Sequence, residues 1–142
     1  MKRLFTLLIL LELALGIEAR PVSVEKARKV GIDFLKANTS MQVSKDVELA
    51  YAYLTDSGTP CIYVFNVVDG FVVVSADDHA YPILGYSDQG KFDVELIPVA
   101  LHEHLRGFVE QIEWAVKEDH VSSDVIDQWR QVELDGTLLA QK

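Results

Sequence analysis

Cys61 paired with His79, His102 or His104 is the combination in this chain that would make a thiolate–imidazole nucleophile. Cys61, however, opens an apolar strand-like run, with no Gly-rich turn or helix N-terminus beside it to expose the thiol or lower its pKa, so it reads as a core residue. His102 and His104 stand two apart in a helical stretch, point about 200° apart, and cannot share one metal ion. Asp77-Asp78-His79 gathers possible ligands, but a calcium loop needs more oxygens at spaced positions plus a glycine. Gly70, Gly85 and Gly90 are isolated and form neither a phosphate loop nor a dinucleotide fingerprint. Glu110, Glu113 and Glu118 run along a helix with Lys117 nearby, the pattern of a solvated face. The residues therefore support no enzyme, cofactor or metal site.

The composition is that of an ordinary globular chain: 142 residues, 49% hydrophobic, 25% charged, with one cysteine and hence no internal disulfide. Acidic residues outnumber basic ones 22 to 13, giving a net charge of −9, which argues against nucleic acid as a partner. Met1-Lys2-Arg3 followed by the apolar run Leu4–Leu15 and the small residues Gly16 and Ala19 reads as a secretory signal peptide over residues 1–19, cut after Ala19. The run is too short to span about 30 Å of hydrocarbon, so no membrane anchor is expected after cleavage. The expected product is soluble, monomeric when free, and either secreted or periplasmic.

The elements that follow are read from periodicity and punctuation. Ser23 caps a helix over 24–37, with Val24, Ala27, Val30, Gly31 and Phe34 on one stripe and Asn38 as the stop. Leu49, Tyr51 and Tyr53 alternate as a strand; Cys61–Val68 and Phe71–Ala76 follow as two central strands, joined at Asp69-Gly70 as a type I′ hairpin; Ile83–Ser87 is a further short strand. Pro98 opens a long helix with Leu101, Leu105, Phe108, Ile112 and Ala115 on one stripe. Ser123 caps a short third helix carrying Val125, Ile126 and Trp129, and Asp135-Gly136 begins a fraying tail. The expected fold is α+β: an antiparallel β-meander packed on one face by two longer helices plus a short C-terminal helix. The division is 1–19 signal peptide, 20–120 main domain, 121–142 short helix and tail.

The segment from Tyr63-Val64-Phe65-Asn66 through Gly70-Phe71-Val72-Val73-Val74-Ser75-Ala76-Asp77 and Pro82-Ile83-Leu84-Gly85-Tyr86-Ser87 resembles the propeptides of streptopain-type cysteine proteases and the stand-alone inhibitors related to them. Phe108-Val109-Glu110-Gln111-Ile112 resembles the family's long helix, and the likeness covers roughly residues 22–118. The resemblance implies an α+β prodomain that occludes the cleft of a papain-like protease. Nothing here resembles the family's Gly-Cys-Val-Ala-Thr nucleophile segment, so the implied product is a free-standing inhibitor of a related secreted bacterial protease, with a detached zymogen propeptide and a non-inhibitory chaperone or binding module as alternatives. It also implies contacts. Ile97, Pro98, Val99 and Ala100 match the segment that reaches the protease active site, Ala100 standing where the family has Asn, and Glu113, Trp114 and Lys117 match a second segment near the cleft. Trp114 also lies next to the helix's apolar stripe, which leaves burial and protease contact both open for it.

Overall fold

The computed structural model describes residues 21–44 and 46–140; the expected signal peptide lies outside the described residues. In chain order the elements are α1 (Val24–Asn38), β1 (Glu48–Leu54), β2 (Pro60–Asn66), β3 (Phe71–Ser75), β4 (Ile83–Ser87), α2 (Val99–Lys117) and α3 (Ser123–Asp135). The strands form one antiparallel sheet in the order β1-β2-β3-β4, so each strand pairs with its neighbour in sequence. The class is α+β, as expected. No helix among the described residues is long and apolar enough to cross a membrane.

The helices are not confined to one face. Alternate residues of the central strands enter two separate cores: Tyr63, Phe65, Val72 and Val74 pack with Ala27, Val30, Phe34 and Leu35 of α1, whereas Ile62, Val64 and Val73 pack with Leu105, Val109 and Ile112 of α2. The one-sided covering expected from the meander is thereby corrected to a three-layer sandwich, α1 and α3 on one face and α2 alone on the other. The physical reason is visible in β2 and β3, whose continuous apolar runs leave no polar face to show to water.

Local chemistry explains most boundaries. Ser23 caps α1 by accepting from the Lys26 amide at 3.1 Å, and the Asn38 side chain donates to the carbonyls of Phe34 and Gly136, tying the end of α1 to the end of α3. The cap of α3 is Ser122 rather than Ser123, accepting from Val125 N–H at 3.3 Å. That helix runs 13 residues, longer than the short element expected, because Val125, Trp129 and Val132 belong to the α1 core. Residues 137–140 do not fray: buried Gln128 donates to the Leu139 carbonyl at 2.7 Å and accepts its amide at 2.9 Å.

The β2–β3 connection also differs. It spans residues 67–70, with Asn66 paired to Phe71 and Val67 N–H donating to the Gly70 carbonyl at 2.9 Å. Gly70 is not among the positive-φ residues, so a type I′ turn is not its role. A Cβ there would lie 2.0 Å from the Ser87 carbonyl oxygen. Glycine at 70 admits the backbone of β4's last residue, a close approach rather than an unusual φ.

Candidate functional site

Between β4 and α2 the chain must cross to the far face of the sheet, and a buried carboxamide governs how it does so. Asn66, 8% exposed at the end of β2, accepts from Phe92 N–H at 2.7 Å and donates to the Phe92 carbonyl at 3.0 Å, reproducing the pairing that a neighbouring strand would make. Phe92 is buried edge-to-face against Phe71, ring centroids 5.5 Å apart. Asp93 then closes a turn: its side chain accepts from Glu95 N–H at 3.0 Å and its carbonyl accepts from Leu96 and Ile97, each at 3.0 Å. Val94, Ile97 and Leu101 rest on the α2-side core.

The result is a braced segment whose remaining side chains face water. Leu96 is 81% exposed and Val99 76%, with Pro98 and Ala100 also exposed and Ile97 half-buried. Pro98 holds an extended backbone (φ −56°, ψ 141°) at the N-cap of α2, which has no side-chain cap and no acidic residue in its first turn. The first amides of α2 are therefore unmet by any cap side chain. Bare apolar side chains gathered at one point, unlike ones scattered singly, make a candidate contact surface.

The second group of expected residues is at the other end of the same helix. Val99 and Lys117 bound a 19-residue helix, which separates them by about 27 Å at 1.5 Å per residue. Glu113 and Lys117 line a cleft of about 270 Å³ floored by Cys61 and Asp77. Trp114 is 56% exposed, stacked obliquely on His120 at 5.5 Å, so the two alternatives open for it resolve toward the surface. Glu113 and Lys117 thus share one cleft, Trp114 faces a different groove, and Ile97 to Ala100 stand apart from all three. Asn66 is the positioning residue that sequence reasoning missed; its only sign was an Asn ending an otherwise apolar strand.

The remaining chemistry-bearing residues are occupied elsewhere. Cys61 is 3% exposed, and burial first, then the charges of Glu113 and Asp77, push its thiol up to about 11 against the opposing Arg106, so it is held protonated. His102 Nδ1 bonds the Tyr53 hydroxyl at 3.0 Å while His104 stacks edge-on to Phe108 at 4.9 Å, the divergence expected of residues two apart on a helix. His79 is buried between two carboxylates: Nδ1 meets Asp77 Oδ1 at 2.6 Å and Nε2 meets Asp119 Oδ1 at 3.0 Å. Burial alone would lower its pKa, but the hydrogen bonds to Asp119 and Asp77 and the charges of Asp77 and Asp78 raise it. Ligand atoms of Asp77, Asp78 and His79 lie within 4.8 Å of one another. The ring lies between the two carboxylates and ties the β3–β4 connection to the α2–α3 turn, where Asp119 has φ 47°.

Comparison with known proteins adds to this geometry. A family model described as Spi protease inhibitor matches residues 19–112. The thiol protease/hemagglutinin PrtT of Porphyromonas gingivalis is 30% identical over 118 residues, which cover 79% of this chain and 14% of that protein. The chain therefore spans about one-seventh of the length of this relative. No solved structure matches.

Proposed function

The chain belongs to the Spi protease inhibitor family, and on that footing we propose that it is a secreted inhibitor of a streptopain-type cysteine protease, closing the substrate cleft as a propeptide does. The observation that carries the reading is the braced apolar point at Leu96–Ala100. Inhibition by occlusion requires no catalytic group; it requires a surface that fills a cleft and does not yield. Here the point is held from behind by the Asn66–Phe92 pair, the Asp93 turn and the α2 core, so little conformational entropy is lost when it is buried against a partner. Ala100 leaves a methyl group where the related propeptides carry Asn, so the block rests on apolar filling by Leu96 and Val99 more than on a side-chain hydrogen bond. Glu113, Trp114 and Lys117 serve as a separate contact toward the far end of α2, and the net charge of −9 favours encounter with a basic protease.

The test is a titration of the chain into streptopain and into the P. gingivalis thiol protease, following hydrolysis of a fluorogenic peptide. Stoichiometric loss of activity is expected. Val99→Arg should weaken it by about 1–3 kcal/mol, as a central interface residue does, while the melting temperature stays near that of the unchanged chain. Equal inhibition by Val99→Arg would move the blocking contact away from this segment, and a stable complex with full activity would make the chain a binding module or chaperone.

A second reading is favoured by the likeness to a much longer thiol protease: the same surface acting in cis, as the propeptide of a zymogen. A reading frame continuing past Lys142 into a catalytic domain would decide for it. Export through the N-terminal signal is tested by N-terminal sequencing of the mature protein, expected to begin at Arg20.

A further inference from the structure

The outer face of α2 carries a residue that the fold does not use. Gly107 sits mid-helix, where glycine is the poorest choice short of proline, yet a Cβ added there would meet no atom of the chain within 4 Å. Close packing within the molecule therefore does not call for it. Gly107 lines a groove of about 590 Å³ between α2 and the β3–β4 region, together with Tyr81, Leu84, Phe108 and Trp114, and Glu110 stands at its lip. Helical spacing sets Gly107, Glu110 and Trp114 within about 60° of one another, on one side of the helix.

Glu110 is the carboxylate that lines this groove. Glu103 and Glu110 are exposed. Lys117 lines the opposite cleft. His79, at the groove's end, is taken by Asp77 and Asp119.

We infer that this groove is a second docking surface for the target protease, receiving a segment that carries an apolar side chain next to a lysine or arginine. The inference rests on the inhibitor reading above. The apolar side chain packs against Phe108 and Trp114, the missing Cβ at 107 lets the partner's backbone come against the helix, and the neighbouring cation meets Glu110.

The test compares the full chain with Gly107→Ala, Gly107→Gln and Glu110→Lys, reading inhibition of streptopain and of the P. gingivalis thiol protease and the melting temperature of each free inhibitor. Both Gly107 substitutions are expected to raise the melting temperature, since each removes a helical glycine from open space. Gly107→Ala, which puts back the Cβ, should inhibit a few-fold less well than the unchanged chain, and Gly107→Gln, filling the groove, should be roughly tenfold weaker or worse. Glu110→Lys should also weaken inhibition, with a loss that shrinks as salt is added. A more stable Gly107→Gln that inhibits like the unchanged chain overturns the groove and leaves the cleft reading standing. Failure of the unchanged chain to inhibit either protease overturns the reading on which the groove depends. Concentration-dependent dimers in sedimentation that Gly107→Gln abolishes would assign the groove to a second copy and overturn the proposal.

Discussion

Replacing Asn66 with alanine isolates the device that aims the exposed segment. The substitution removes both hydrogen bonds to the Phe92 backbone, at 2.7 and 3.0 Å, in a place where Phe92 itself is 3% exposed. A buried donor or acceptor left without a partner costs about 1–3 kcal/mol, and water entering the vacated volume can recover part of that for two groups so close together. A loss of about 2–4 kcal/mol is expected, a large fraction of the roughly 5–15 kcal/mol that holds a domain together. For a domain of this size it lowers the melting temperature by roughly 10 °C. Circular dichroism melts and urea titrations give the global figure, and amide exchange at Phe92, Leu96 and Ile97 shows whether the segment loosens ahead of the rest. Asn66→Asp sharpens the test: its carboxylate still accepts from Phe92 N–H but opposes the Phe92 carbonyl. Protonation restores a donor, so this variant should regain stability as pH falls. A melting temperature for Asn66→Ala within a degree or two of the unchanged chain, with Phe92 still protected from exchange, would refute the argument.

Two further outcomes follow from groups away from the exposed segment. His79→Gln should reveal the ion pair as a pH-dependent stability difference. The folded pKa of His79 is raised above its ordinary value near 6.5, so its contribution is fully present below about pH 6.5 and fades as pH rises through the higher folded value; urea midpoints for the two proteins should diverge most near pH 6 and converge toward pH 9, and a constant gap would refute the linkage. Gly70→Ala should prevent normal folding or lower stability by more than about 3 kcal/mol, because its methyl would sit 2.0 Å from the backbone oxygen of Ser87, which cannot swing aside as a side chain can; a melting temperature near that of the unchanged chain would refute the close approach.

Sequence alone made legible what is local. The Ser23 cap, the apolar stripe of α2 and the antiparallel order of the strands all rest on residues within a few positions of one another, and each is found where the pattern puts it. What it hid depends on distant partners. Gly70 looks like a turn glycine because Asp-Gly usually is one, and its actual constraint comes from Ser87, 17 residues on. Asn66 finds Phe92 across 26 residues, in a stretch without periodicity. The burial of both sheet faces was implicit in the unbroken run Cys61–Phe65, but a meander is compatible with either one or two covered faces until the packing of α2 is known. The segment at Ile97–Ala100 emerged from the Pro98 helix start and a family likeness; that Ile97 anchors it while Pro98, Val99 and Ala100 stand bare follows only from the packing.

Covering both faces of the sheet constrains where a partner can bind. With β2 and β3 buried on both sides, any broad recognition surface has to come from a helix, a strand edge or a connection. The two helical layers are unequal in this respect. α1 and α3 share one core, so each turns part of its side surface toward the other. α2 lies alone on its face, with Leu105, Val109, Ile112 and Ala115 turned inward and its outer half left to solvent. Leu96 and Val99 at its start and Trp114 toward its end are among the most exposed large apolar side chains of the chain. Bare apolar groups distributed along a rigid rod present a pre-formed shape, and a pre-formed shape binds with little ordering cost. A flexible strap across a cleft would be open to cleavage by the enzyme it enters. A helix seated on a sheet is far harder to draw into an extended, cleavable conformation, because its extraction would expose the entire α2-side core.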